Sequence, residues 1–146
     1  MVDQVADELI SRLHTNPGDG EAYEHLKAHY RGQGDWASLA NLLEGWAGNN
    51  TGSPAAASAA LLEAGDAALR AADDRPRAHA LYHQSLQLDV TNRTAGERLV
   101  ALLEEERAVQ ALAEFLDGYL RALEGNGDPA YLAQLYLKLG ALWEHE

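Results

Sequence analysis

Residues 35–46 (DWASLANLLEGW) and 108–119 (AVQALAEFLDGY) align without a gap. Leu39/Leu112, Ala40/Ala113, Leu43/Leu116 and Gly45/Gly118 are identical, and Glu44/Asp117 and Trp46/Tyr119 match by type. Trp36 and Val109 stand 73 residues apart, a spacing that fits two units of roughly 34 residues plus loop insertions. The helix periodicity at residues 20–47 shows what repeats. Tyr23, Leu26 and Tyr30 recur at helical spacing, as do Leu39, Leu42, Leu43 and Trp46, around the tight turn GQGD. A helix pair of this size cannot bury its apolar face alone, so it needs similar units on either side.

With 146 residues, 47 % of them hydrophobic, the chain is long enough for one continuous core. Alanine and leucine dominate and favour helix. The expected fold is all-α: a right-handed solenoid of stacked antiparallel helix pairs, about eight helices in a single domain.

The units read as follows. Residues 1–15 form an amphipathic half-repeat helix with Val5, Leu9, Ile10 and Leu13 on one face, Asp3 as its cap, and Asn16-Pro17-Gly18 as its stop. Residues 19–48 are the first pair, with Asp19 and Asp35 as N-caps and Gly32 and Gly34 in the turn. Residues 48–54 (GNNTGSP) read as a long inter-repeat loop in preference to an interdomain linker, because the repeat resumes at once. Residues 54–90 are the second pair, with Leu61, Leu62, Gly65, Ala68, Leu69 and Ala72 in a stripe, and Pro76 near the start of its second helix. Residues 91–124 are the third pair. Its bend near residues 104–107 has no Gly or Pro, so one continuous helix is the alternative there. Residues 128–146 are the first helix of a fourth unit, with Leu135, Leu137, Leu139, Leu142 and Trp143.

These residues resemble the tetratricopeptide repeat family. In the first pair Tyr23, Leu26 and Tyr30 stand at the family's Trp, Leu and Tyr positions; Leu39 and Leu43 replace its Ala and Phe. In the second, Leu62 and Leu69 take first-helix places, and Ala78 and Tyr82 match its Ala and Phe. Leu99, Leu103, Leu112 and Leu116 carry the third. Lys27 stands where the family has Gly, and Val90 where it has Pro. The style resembles large multi-repeat bacterial proteins. The resemblance implies a fourth unit without its second helix. The chain is then expected to be part of a longer repeat protein, or to self-associate through Leu139, Leu142 and Trp143.

The net charge of −12 argues against phosphate-backbone and anionic-membrane partners. The N-terminus lacks a signal-peptide pattern, and no cysteine is present to ligate zinc or an iron–sulfur cluster, so a cytoplasmic location is expected. His25/His29 and His79/His83 have metal-ligand spacing but lack a third ligand, and read as surface histidines. Gly32-Gln33-Gly34 and Gly18-Asp19-Gly20 lack the strand and lysine of a phosphate loop. The run Glu104-Glu105-Glu106 reads as a solvated face, and Trp36 and Trp46 as core more than as a binding hot spot. No nucleophile elbow occurs, so no enzymatic activity, catalytic residue, metal or cofactor is expected. The expected function is a protein-interaction scaffold. Its concave groove would be lined by Glu21, Glu24, Ala28, Arg31, Glu63, Ala67, Arg70, Glu97, Ala101 and Glu104, and would take a partner peptide or helix of basic or mixed charge.

Overall fold

The structure is a computed structural model that describes residues 4–49, 52–125 and 127–144. The described residues form eight helices and no strand: α1 (Gln4–Thr15), α2 (Gly20–Gln33), α3 (Trp36–Asn49), α4 (Pro54–Ala72), α5 (Arg75–Leu88), α6 (Arg93–Glu105), α7 (Val109–Leu123) and α8 (Pro129–Glu144). Each packs on the next in the chain. None is long and apolar enough to cross a membrane.

Local side chains start the helices. The Asp19 carboxylate accepts from the Ala22 N–H at 3.1 Å, and Asp35 from Ser38 at 3.2 Å. Asp74 accepts from Arg77 at 3.2 Å, and the Asn92 amide oxygen from Ala95 at 3.3 Å. Such caps stabilise a helix by roughly 0.5–2 kcal/mol each. The expected cap Asp3 lies outside the described residues, as do Asn50 and Thr51 of the long loop.

A common turn ends α2, α4 and α6. Gly34 (φ +68°), Asp73 (φ +50°) and Arg107 (φ +54°) each adopt the left-handed conformation, and the next helix begins within two residues. Behind Gly34 the Asp35 N–H returns to the Tyr30 carbonyl. Behind Arg107 the Ala108 N–H returns to Leu103. This is the hydrogen-bond pattern that closes a helix when the following residue turns left-handed. The continuous helix considered for residues 104–107 is therefore excluded, although neither Gly nor Pro marks the break. Gly32, expected in the turn, lies inside α2.

The core runs as three adjoining clusters in chain order. Ala6, Leu9, Ala22 and Leu26 join α1 to α2. Tyr23, Leu39, Leu43, Leu61 and Leu81 hold α2 to α5 together. Tyr82, Leu99, Leu116, Tyr119, Tyr131 and Leu135 continue to α8. Leu13, Tyr30 and Leu42 pack against the first two clusters, bridging them. Most positions that carry the family resemblance, among them Leu26, Leu43, Ala78 and Tyr82, are almost fully buried, while Tyr30, Leu62 and Leu69 are half-buried.

Two glycines are required by close packing. A Cβ on Gly65 would meet the Tyr82 ring at 2.5 Å, and one on Gly96 would collide with Tyr119. Each glycine admits a tyrosine of the paired helix, whose hydroxyl then reaches a polar partner. Tyr82 donates to Asp66 at 2.5 Å, and Tyr119 meets the Tyr131 hydroxyl at 3.0 Å.

Several faces differ from the periodicity reading. On α1 Leu9 is buried as expected, but Val5 and Ile10 are exposed and Ala6 is buried in their place. Ala72 is exposed, while α4 buries Ala57, Ser58, Ala60, Ala64 and Ala67 beyond its expected stripe. The reason is geometric: α4 is covered by both α3 and α5, so small residues around much of its circumference are enclosed. Val109, which aligns with the half-buried Trp36, is exposed.

Candidate functional site

Side chains on alternate helices meet along one face. Lys27 and Arg31 of α2 pair with Glu63 of α4. Arg98 of α6 reaches Asp66 of α4 at 3.3 Å. Lys138 of α8 reaches Glu104 of α6 at 3.0 Å, and the Arg93 guanidinium lies 4.2 Å from the Tyr131 ring centre. The pairs Arg31–Glu63 and Asp66–Arg98 are each 32 residues apart, and Glu104–Lys138 is 34 apart. That separation is close to the unit of roughly 34 residues expected from the sequence.

Four adjoining depressions follow these contacts. The first, about 500 Å³, has the Ala56, Ala59 and Ala60 surface of α4 opposite Tyr23 and Trp46. Those two rings stack at 4.1 Å with 4° between planes, and Lys27 lies 4.9 Å from the Tyr23 centre. The second, about 220 Å³, holds Arg31, Trp36, Ala67 and Arg70. The third, about 300 Å³, holds Tyr82, Arg98 and Ala101. The fourth, about 260 Å³, lies between α6 and α8. Glu63 lines the first two, Asp66 and Arg70 the second and third, and Ala101 the third and fourth, so the depressions are continuous.

Of the ten residues expected in a groove, Glu24, Arg31, Glu63, Ala67, Arg70, Glu97, Ala101 and Glu104 line this row. Ala67 does so as part of the wall, since it is buried. Glu21 and Ala28 are exposed but line none of the four. The expected set lacks Lys27, Trp36, Asp66, Arg98 and Lys138, which also line the row.

The omission changes the electrostatics. Lys27, Arg31, Arg70, Arg93, Arg98 and Lys138 face Glu24, Glu63, Asp66, Glu97, Glu104 and Glu105 along the row. Six of the chain's 11 basic residues thus line a surface with only six of its 23 carboxylates, so the row is neutral while the net charge of −12 lies elsewhere. Glu63, Glu97 and Glu104 are already paired, Glu97 with Arg93 at 2.8 Å. Arg70 differs from the other five cations: it lies 4.8 Å from the Trp36 ring centre, and among the described residues no carboxylate is within ion-pair distance of it.

The tyrosines along the row are held neutral. Burial pushes the Tyr82 phenol up, and the bond it donates to Asp66 adds to the effect. Burial also raises Tyr23, with Glu63 and Glu24 contributing.

The histidine pairs fall elsewhere. His79 Nε2 is 2.9 Å from Glu106, and the His83 ring meets the Phe115 ring edge-on at 5.6 Å between centres. Burial, then the neighbouring His79, lowers the His83 pKa. Among the described residues no group of three His, Cys, Asp or Glu is placed to hold a metal. Trp36 and Trp46 are half-buried, each with one face in the row. At the C-terminal end Leu139 and Leu142 pack against the core, while Trp143 is exposed together with Tyr136 and Leu137, which the sequence reading did not place in a contact surface.

Comparison with protein-family models, with curated proteins and with solved structures finds no match to this chain.

Proposed function

We propose that the chain is a tetratricopeptide-like solenoid of stacked helix pairs and acts, without catalysis, as a protein-interaction scaffold. In this reading α2, α4, α6 and α8 are the first helices of successive units, and their common face is the concave one. The contacts about one repeat apart between these helices support the stacking. The single observation that carries the function is the row of four continuous depressions on that face. It offers two half-buried tryptophans, small alanine surfaces and cations beside carboxylates. Apolar anchors with surrounding polar contacts are what protein recognition requires.

The partner is a peptide or helix of mixed charge rather than a uniformly basic one, because the glutamates of the row already have internal partners. Those pairs are exposed and worth about 0–1 kcal/mol each, so a ligand can exchange with them at little cost.

Selection of short randomised peptides displayed on phage against the whole chain tests this reading. Selected peptides are expected to lose binding to Ala59→Trp and Ala101→Trp, two exposed positions that fill the row, and to keep binding to Ala111→Trp on α7. Failure to enrich any peptide, or peptides indifferent to both groove substitutions, would remove the proposal.

Self-association through α8 is the second reading. It rests on the exposure of Tyr136 (58 %), Leu137 (75 %) and Trp143 (59 %). Sedimentation across a wide concentration range, beside a Leu137→Glu/Trp143→Glu variant, separates the two: a concentration-dependent dimer that the variant dissolves would favour it.

A further inference from the structure

We infer that the groove recognises an acidic side chain of its partner, held by Arg70 on Trp36, with a large apolar residue a few positions away seated against Tyr23 and Trp46. This rests on the groove reading above and specifies what occupies it.

Five of the six cations along the row have a carboxylate within 4.0 Å, and among the described residues Arg70 has none. Its guanidinium lies over the Trp36 ring, which fixes one face of the group and leaves the N–H edges for a ligand. It lines two depressions at once, with Arg31 in one and Arg98 in the other. A guanidinium held in this way matches a carboxylate, which can accept two parallel N–H bonds. The neighbouring Glu63 and Asp66 discriminate against a phosphate. A second negative charge would add repulsion from both, whereas a single carboxylate replaces the partner that Arg70 lacks. The net charge of −12 on the whole chain works against a densely acidic partner in the same way, so one acidic residue among neutral ones is the chemistry that fits.

The apolar anchor follows from the first depression. The stacked Tyr23–Trp46 pair forms one wall and Ala56, Ala59 and Ala60 the other, around about 500 Å³. That space accepts an aromatic or leucine side chain between flat and small surfaces. Ala60 and Arg70 lie on the same helix, α4, so the helical rise separates them by about 15 Å. An extended peptide covers that distance in roughly four to five residues.

The phage selection is therefore read for composition and spacing. Peptides enriched on the wild-type chain are expected to carry Asp or Glu about four to five residues from Trp, Phe, Tyr or Leu. A synthetic peptide of that pattern should bind Arg70→Glu about ten- to hundredfold more weakly, as expected for one charged hydrogen-bonded contact, and Arg70→Gln with an intermediate loss. Arg70 is exposed, and circular dichroism of both variants checks that the fold is retained. Enriched peptides that lose binding to Ala101→Trp, but show no acidic preference or bind Arg70→Glu undiminished, would overturn this inference and leave the groove standing. Peptides indifferent to both Ala59→Trp and Ala101→Trp, or no enrichment at all, would overturn the groove and this inference with it.

Discussion

Arg107 holds a conformation that costs a non-glycine residue about 1–2 kcal/mol, because its Cβ crowds the following carbonyl. The position is nonetheless occupied by a long charged side chain, and among the described residues that side chain makes no hydrogen bond or ion pair. Replacement by glycine removes the crowding and loses no contact. Part of the gain is offset by the greater freedom of glycine in the unfolded chain. Arg107→Gly is expected to stabilise the protein by roughly 0.5–1 kcal/mol, raising the melting temperature by about 1–4 °C for a chain of this size. Thermal unfolding followed by circular dichroism checks this, and an unchanged or lowered midpoint would mean that the turn is held by something other than backbone conformation. The same position shows why part of the fold could not be read from the residues. Gly34 announces its turn, since glycine enters the left-handed region freely. Asp73 and Arg107 make the same kind of turn without that signature.

At the level of elements, the helices themselves were legible. Periodic leucines and tyrosines locate α2, α3, α6 and α7, and Asp19 and Asp35 mark starts that the structure confirms as caps. The contacts between elements were not. Glu63 on a helix face looks like free charge in the sequence, because its partners Lys27 and Arg31 lie about a repeat away on another helix. The join between α4, α5 and α6 was hidden for the same reason. Ser58 and Ser85 are fully buried and bond reciprocally: each hydroxyl donates to the other's backbone carbonyl, at 2.8 and 2.7 Å, and the Asn92 amide donates to the Ser58 hydroxyl at 2.9 Å. Serine in an alanine-rich helix resembles filler until its counterpart on the neighbouring helix is known. Replacing one serine leaves buried polar groups without partners, whereas replacing both removes much of the demand. Ser58→Ala and Ser85→Ala are each expected to cost about 1–3 kcal/mol, and the double variant less than their sum by at least ~0.5 kcal/mol. Urea unfolding of the four proteins measures the coupling, and strict additivity would show that the two hydroxyls act independently.

Over the whole molecule, burial is unequal along the chain, and this sets how the protein should open. α4 has eight residues buried and lies between two tightly packed neighbours. α1 buries only Ala6 and Leu9, and α8 only Tyr131 and Leu135. The core is divided into clusters that engage neighbouring helices, with no single centre on which every helix depends. In such an arrangement stability is close to a sum of local units and nearest-neighbour contacts, so an end helix can detach without loss of the middle. The two buried side chains of α8 contribute about 1.5–3 kcal/mol each, and the half-buried Leu132, Leu139 and Leu142 add less, before its ordering entropy is subtracted. α4 and α5 instead share extensive contact and the serine network. Native-state hydrogen exchange is therefore expected to show a gradient. Amides of α4 and α5 should exchange last, and those of α1 and α8 roughly two or more orders of magnitude faster, since each 1.4 kcal/mol of opening energy is a factor of ten. Uniform protection from α1 to α8 would mean that the chain opens as one cooperative body, and would count against stacked units. The gradient also bears on the groove. Its first three depressions are built on α4, the helix expected to open last, whereas the fourth depends on α8. A ligand that spans the row should slow exchange most in α8, because binding energy shared with a weakly held helix stabilises its closed state.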